Sequence, residues 1–273
     1  MSNCFPIGIF DSGIGGLSVW RELARQLPHE ATVYFADQIH IPYGPRSLDQ
    51  IRSFSEAITR FLLDQGCKII VVACNAASAA ALKHLRATFP EVPFVGMEPA
   101  VKPAAESTHT GVVGVLATPA TFQGELFASV VERFANGVQL VQEVCPGLVQ
   151  QVEAGRLNTP DTLEMLDQFL VPIRAANADT IVLGCTHYPF VIGAIRQLAP
   201  GVNVIDPAPA VARQVDRVLQ VRGWLCAENR VGQHHFVTSG DLDKYHNILQ
   251  RLVNVETPGR RAAWSVDEQL LME

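Results

Sequence analysis

Lysine is scarce in this chain: four occur among 273 residues, at positions 68, 83, 102 and 244. None closes an apolar run just before a helix, so the chain offers no well-placed Schiff-base lysine for pyridoxal chemistry. Cysteine occurs six times (4, 67, 74, 145, 185 and 226) but never as a C-x-x-C pair, and six in a chain this long make no disulfide framework. Reduced thiols and a cytoplasmic location are expected. Basic charge is short as well. There are 21 Lys and Arg against 27 Asp and Glu, a net charge of −6, which argues against a nucleic-acid-binding surface. No uninterrupted apolar run approaches bilayer-spanning length, so no membrane partner is expected. The N-terminus lacks a basic segment and its apolar run is broken by Gly8 and Asp11, which speaks against a signal peptide. No long extension precedes the first apolar segment, and regulation through one is not expected. What remains, 48% apolar and 18% charged, is the composition of a globular enzyme with one large or two medium cores.

Two stretches organise the rest. In residues 68–78, Lys-Ile-Ile-Val-Val-Ala-Cys-Asn-Ala-Ala-Ser, an apolar run rich in β-branched residues ends in Cys74 and a small-residue helical pattern follows. A buried parallel strand feeding a helix has this pattern. Cys74 then falls at the carboxyl end of a strand, where ligands of open α/β sheets gather. It also falls at a helix N-terminus, whose dipole favours thiolate. Residues 179–189, Asp-Thr-Ile-Val-Leu-Gly-Cys-Thr-His-Tyr-Pro, repeat the construction around Cys185. Two copies of one reactive arrangement suggest two facing bases. The other four cysteines read as packing residues.

Further strands are expected at 7–10, 32–36, 94–97, 111–116, 138–144 and 202–205, with helices between them. Ser47 and Gln50 form a capping-box pattern ahead of a helix whose apolar stripe is Ile51, Phe54, Ile58, Phe61 and Leu62, with Gly66 at its end. Residues 122–134 read as one helix, and Thr159 caps another with Pro160 at its first position. The later series echoes the earlier one at an offset of about 110 residues: Cys185 answers Cys74, and Asp206-Pro207 answers Glu98-Pro99. The expected fold is therefore α/β, two pseudo-symmetric α/β domains with mainly parallel sheets and an active site in the cleft between them. Residues 1–97 plus 209–273 form the first lobe and residues 98–208 the second, with the two X-Pro breaks as crossings. The tail after Glu256 is polar, carries Pro-Gly-Arg-Arg at 258–261, and is expected to be poorly ordered at its end.

Asp-Ser-Gly-Ile-Gly-Gly at 11–16 follows a strand and opens a helix. The dinucleotide fingerprint needs a third glycine where Ser18 stands, although Asp37 lies near the spacing of a ribose-binding acid. The same loop can instead offer backbone amides to a carboxylate and bring Asp11 close to Cys74. Pro42-Tyr43-Gly44 reads equally as a plain turn or as part of a site. Asn75, Thr118, Thr121 and Thr186 are short donors at strand ends; each alone is more often a helix cap, but their convergence on one edge favours a small substrate rich in carboxylates. His187, two residues beyond Cys185, can tune that thiol or the substrate ammonium. Glu153 lies in Val-Glu-Ala-Gly at 152–155. Cys74, Cys185 and His187 match no zinc-ligand spacing, and no metal is expected.

Asp-Ser-Gly-Ile-Gly-Gly, Pro-Tyr-Gly, Ala-Cys-Asn, Cys-Pro-x-Leu-Val at 145–149 and Gly-Cys-Thr-His-Tyr-Pro at 184–189 occur in that order. With them the chain closely resembles the glutamate racemases of the cofactor-independent aspartate/glutamate racemase family, from about Ile7 to Val218. The resemblance implies an isomerase that interconverts L- and D-glutamate without cofactor or metal and supplies D-glutamate for peptidoglycan, and hence cell-wall, synthesis. It implies Cys74 and Cys185 as the two acid/base residues, Asp11 and His187 as their assistants, and Glu153 beside His187. Substrate contacts implied in the same way come from Asp11 and Ser12, from Pro42, Tyr43 and Gly44, from Asn75 and position 76, and from Thr118, Thr121, Thr186 and His187. Lobes that close over the substrate and a homodimer are implied too. Ala76 stands where the family usually has Thr, which loses a hydroxyl and keeps the backbone amide; His40 stands where Arg is common. The readings that remain beside this one are a racemase of another acidic amino acid, such as aspartate, and a thiol-based sensor without turnover.

Overall fold

In the computed structural model the residues described are 4–135, 137–265 and 269–272. The first series runs β1 (Ile7–Asp11), α1 (Leu17–Gln26), β2 (Thr32–Ala36), α2 (Leu48–Asp64), β3 (Ile69–Val72), α3 (Asn75–Thr88), β4 (Phe94–Gly96) and α4 (Val101–Ser107). The second runs β5 (Val112–Ala117), α5 (Pro119–Gln123), α6 (Glu125–Phe134), β6 (Gln139–Val144), α7 (Leu148–Glu153), α8 (Pro160–Ala175), β7 (Thr180–Gly184), α9 (Ile192–Leu198) and β8 (Asn203–Ile205). The chain closes with α10 (Ala208–Arg222), β9 (His234–Thr238), α11 (Leu242–Val253), β10 (Arg260–Trp264) and β11 (Leu270–Met272).

Two sheets result. The order β2-β1-β3-β4 recurs as β6-β5-β7-β8, and the larger sheet extends beyond β2 through β9 and β10 to β11. Every pairing is parallel except β10 with β11. Parallel strands covered by helices on both faces lose all contact with water, so β1, β2, β3 and β7 are buried at every position and, apart from Asp11, Thr32 and Thr180 at their ends, apolar. In this strand order the chain leaves β1 in one direction and β3 in the other. The crevice at that reversal is where side chains of an open sheet converge on a ligand. One apolar cluster runs continuously from Ile7, Leu17 and Val71 to Val152, Ile181 and Ile195, so the two sheets share a core.

Local signals explain the helix ends. Ser47 and Gln50 exchange hydrogen bonds as a capping box at 3.2 Å each, and Gly66 adopts φ 77° after α2. Thr159 caps α8. The single helix expected over 122–134 is instead two, α5 and α6, broken at Gly124. A Cβ there would stand 2.5 Å from the Ala79 side chain of α3, so helix packing fixes the break. The tail also departs from expectation. Residues 260–264 and 270–272 are strands added to the sheet edge; residues 266–268 and 273 lie outside the described residues. Among the described residues no helix is long and apolar enough to cross a membrane.

Candidate active site

Cys74 follows β3 and caps α3, so its thiol stands where the first amides of that helix point outward. Cys185 follows β7, but a 3-10 turn over Tyr188–Val191 separates it from α9, so no long helix begins at this second sulfur. The two thiols line one cavity of about 20 Å³. Ser12 enters from the loop after β1, Tyr43 and Gly44 from the loop before α2, Thr118 from the end of β5, and Thr186 and His187 from beyond Cys185. Pro42, Asn75 and Ala76 complete the wall with Val149 of α7, which the sequence reading did not single out although it ends the Cys-Pro-x-Leu-Val motif.

Three of the residues singled out stand behind this wall. Asp11 is fully buried and bonds the loop it begins: one oxygen accepts the Ser12 N–H at 2.7 Å, and the other accepts the Gly16 N–H and the Thr186 hydroxyl, the latter at 3.1 Å. Thr121 braces Thr118, hydroxyl to hydroxyl at 3.1 Å, and donates to the Gly184 carbonyl at 3.3 Å. Glu153 backs His187. Its Oε1 meets His187 Nε2 at 2.7 Å and accepts the Ile14 N–H at 2.8 Å. His187 Nδ1 in turn lies 3.7 Å from Cys185 Sγ. Glycines permit this crowding: a Cβ on Gly13 would collide with the Glu153 carboxylate, and one on Gly15 with the His187 ring.

The electrostatics of the two sides differ. Burial pushes the Cys74 thiol well above its ordinary value, and the Asp11 carboxylate pushes it further, against a hydrogen bond from the Ala77 amide that lowers it. Ser12 Oγ stands 3.9 Å from that sulfur. On the Cys185 side, burial alone would lower His187. Hydrogen bonds to Cys185 and Glu153 outweigh it and hold the imidazole well above its ordinary value, which favours the protonated ring. The Asn75 amide is buried, and neither its oxygen nor its nitrogen has a protein partner. A polar group in that state is satisfied only by something that enters the cavity.

Asp37 answers the dinucleotide alternative. It is fully buried, and its two oxygens receive the Tyr43 hydroxyl at 2.7 Å, Ser239 at 2.9 Å and the Trp264 indole N–H at 2.8 Å, with His40 Nδ1 at 2.9 Å. No acceptor is left for a ribose. Its work is to hold the Pro42–Gly44 loop, and His40, the departure noted above, stacks on Phe54 with ring centroids 4.0 Å apart.

Two similar α/β halves, each presenting a thiol at the same strand end to one small cavity, define a class of protein that works on a small molecule between two sulfurs. The chain belongs to the Asp/Glu/hydantoin racemase family, whose profile matches residues 7–215. A glutamate racemase of Roseiflexus sp. is 49% identical over 249 residues, 90% of this chain and 92% of that one. A glutamate racemase isoform of Bacillus anthracis superposes with a TM-score of 0.86 at 32% identity, covering 96% of this chain and 98% of that one. The Escherichia coli glutamate racemase, solved with L-glutamate and the activator UDP-MurNAc-ala, superposes with a TM-score of 0.83 at 31% identity, covering 98% and 99%.

Proposed function

We propose that this protein interconverts L- and D-glutamate by moving a proton between Cys74 and Cys185 without a cofactor. One observation carries the reading: thiols from the matching strand ends of two repeated halves line the same cavity. Racemisation removes a proton from one face of Cα and returns one to the other, so two bases on opposite sides solve a geometry that a single base would have to swing around. One sulfur is thiolate while the other is thiol, and the roles exchange with substrate handedness. The raised Cys74 suits it to wait as the thiol, with Asp11 beside it. His187, oriented by Glu153, brings positive charge to the sulfur that must be negative when it acts as the base. The carbanion formed in between is stabilised by hydrogen bonds in a site without water. The Asn75 amide, unpaired within the protein, and the α3 amides at 75 and 76 are the donors for its carboxylates, with Ser12, Thr118 and Thr186 lining the same wall.

Glutamate is favoured over aspartate because the relatives matched over nine-tenths of this chain are glutamate racemases. A cavity of about 20 Å³ holds roughly one water, so the lobes, 1–97 plus 209–273 and 98–208, part to admit substrate. Sheet membership supports that division. A cytoplasmic homodimer that feeds D-glutamate to peptidoglycan synthesis completes the reading; the activator UDP-MurNAc-ala of the E. coli relative accords with it.

The test is proton NMR of L-glutamate in D2O with purified protein and no added cofactor, read beside optical rotation. Loss of the Cα–H signal together with decay of rotation is expected. Exchange with aspartate alone would move the substrate and keep the chemistry. No exchange with either, in a protein whose thiols alkylate readily, would replace catalysis with sensing.

A further inference from the structure

Gln38 belongs to no motif and lies outside the cavity, yet it joins the two halves of the molecule. It sits on the 3-10 turn Gln38–His40 that follows β2. Its Nε2 donates to Glu153 Oε2 at 3.2 Å, and its Oε1 accepts the Thr238 hydroxyl of β9 at 2.8 Å. Gln38 and Thr238 stand on the seven-stranded sheet; Glu153, at the end of α7, stands on the four-stranded side. Two more bonds cross in the same place: the Ile14 N–H reaches Glu153 Oε1 at 2.8 Å, and Arg251 of α11 reaches the Gly155 carbonyl at 3.1 Å. Glu153 thus has Oε1 on His187 and the Ile14 amide and Oε2 on Gln38.

We propose that Gln38 is a positioning residue. Its amide, itself oriented by Thr238, fixes the Glu153 carboxylate so that His187 is aligned on Cys185 only when the two sheets stand together. The proposal rests on the two-thiol reading above and deepens it: closing the cleft and arming the base on the Cys185 side become one event, whereas on the Cys74 side Asp11 is held by the Ser12 and Gly16 amides of its own loop as well as by Thr186 across the cleft, and does not depend on Gln38. A hydrogen bond to a charged group that aligns a reacting pair is worth about tenfold in rate.

In Gln38→Leu we expect kcat to fall about tenfold with KM for glutamate little changed, since the amide does not reach substrate. Each thiol removes the proton from one enantiomer. The primary deuterium isotope effect on kcat/KM should therefore grow for the enantiomer deprotonated at Cys185 and not for its mirror image. Thr238→Val should follow Gln38→Leu, and Thr238→Ser should retain wild-type behaviour. A readout free of turnover is the rate of iodoacetamide alkylation at Cys185 relative to Cys74, measured by peptide mass spectrometry, which should fall about tenfold in Gln38→Leu. Equal changes in the isotope effects of both enantiomers, or an unaltered alkylation ratio, overturns the proposal. Wild-type protein inert on glutamate refutes the functional reading instead, and the alkylation ratio still decides the role of Gln38.

Discussion

Cys74 and Cys185 are both less than a tenth exposed, so truncating either to alanine deletes one sulfur from a packed wall and little else. Each strand end accommodates a small residue, and the stability cost should stay near 1 kcal/mol. Activity should behave differently. With one of two obligatory proton-transfer groups gone, racemisation by Cys74→Ala or Cys185→Ala should drop at least about a thousandfold, while circular dichroism and the urea midpoint stay close to wild type. Full racemase activity in either variant would end the two-base account. At this scale the sequence was informative where chemistry repeats: the two cysteines, the Asp-Ser pair and the Thr-His pair could be read from it. Val149 and Gln38 could not. An apolar wall residue looks like any core valine, and a glutamine that bridges two sheets carries no local signature. The Asn75 amide is an intermediate case, since its type could be read but its lack of a protein partner could not.

The loop at 11–16 shows what a glycine-rich element does when it binds no phosphate. Its glycines leave room for side chains arriving from the other sheet, Glu153 against Gly13 and His187 against Gly15. Gly15→Ala should therefore push the imidazole off Cys185, lowering kcat at least about tenfold and costing about 1–3 kcal/mol by overpacking. Gly193→Ala is the matched control. It lies in α9 with nothing near its added Cβ, and it should stabilise by about 0.5–1 kcal/mol with kcat unchanged. Urea melts and steady-state rates on both variants check the pair. Helices with local caps, such as α2 with its Ser47–Gln50 box, could be read directly from the chain. Breaks imposed from outside could not: Gly124 divides α5 from α6 because Ala79 of α3 lies against it, and nothing within 122–134 records that neighbour. The strands β10 and β11 carry little signal of their own: β10, Arg-Arg-Ala-Ala-Trp, shows no apolar alternation, and β11 has only three residues, too few for any period.

At the scale of the whole molecule, burial holds several acids in their neutral form. Cys67 is pushed up to about 12, and Cys74 and Cys145 are raised as well, in each case first by burial. Such groups lose their protons in the unfolded chain before they lose them in the native one. The unfolded state then binds fewer protons, and stability falls as pH rises. Equilibrium unfolding should be nearly indifferent to these thiols below about pH 8.5. Above it, each should remove about 1.4 kcal/mol per pH unit until its native value is reached, and the slope should lessen by one thiol in Cys67→Ala. The duplicated architecture could be read from the echo between the two series. The way the tail extends the larger sheet could not, because strand order is not written in any one segment. That order has a consequence for how the protein is made. β5 to β8 are contiguous in the chain and complete a sheet on their own, whereas β9, which joins β2, and β10, which joins β9, are made only after them. The inner half can fold during synthesis while the outer half waits. Asp37 meets Ser239 and Trp264 only then, so the loop carrying Tyr43 is fixed after the inner sheet is made, and a nascent chain cut short before Trp264 would hold both sulfurs without a finished site.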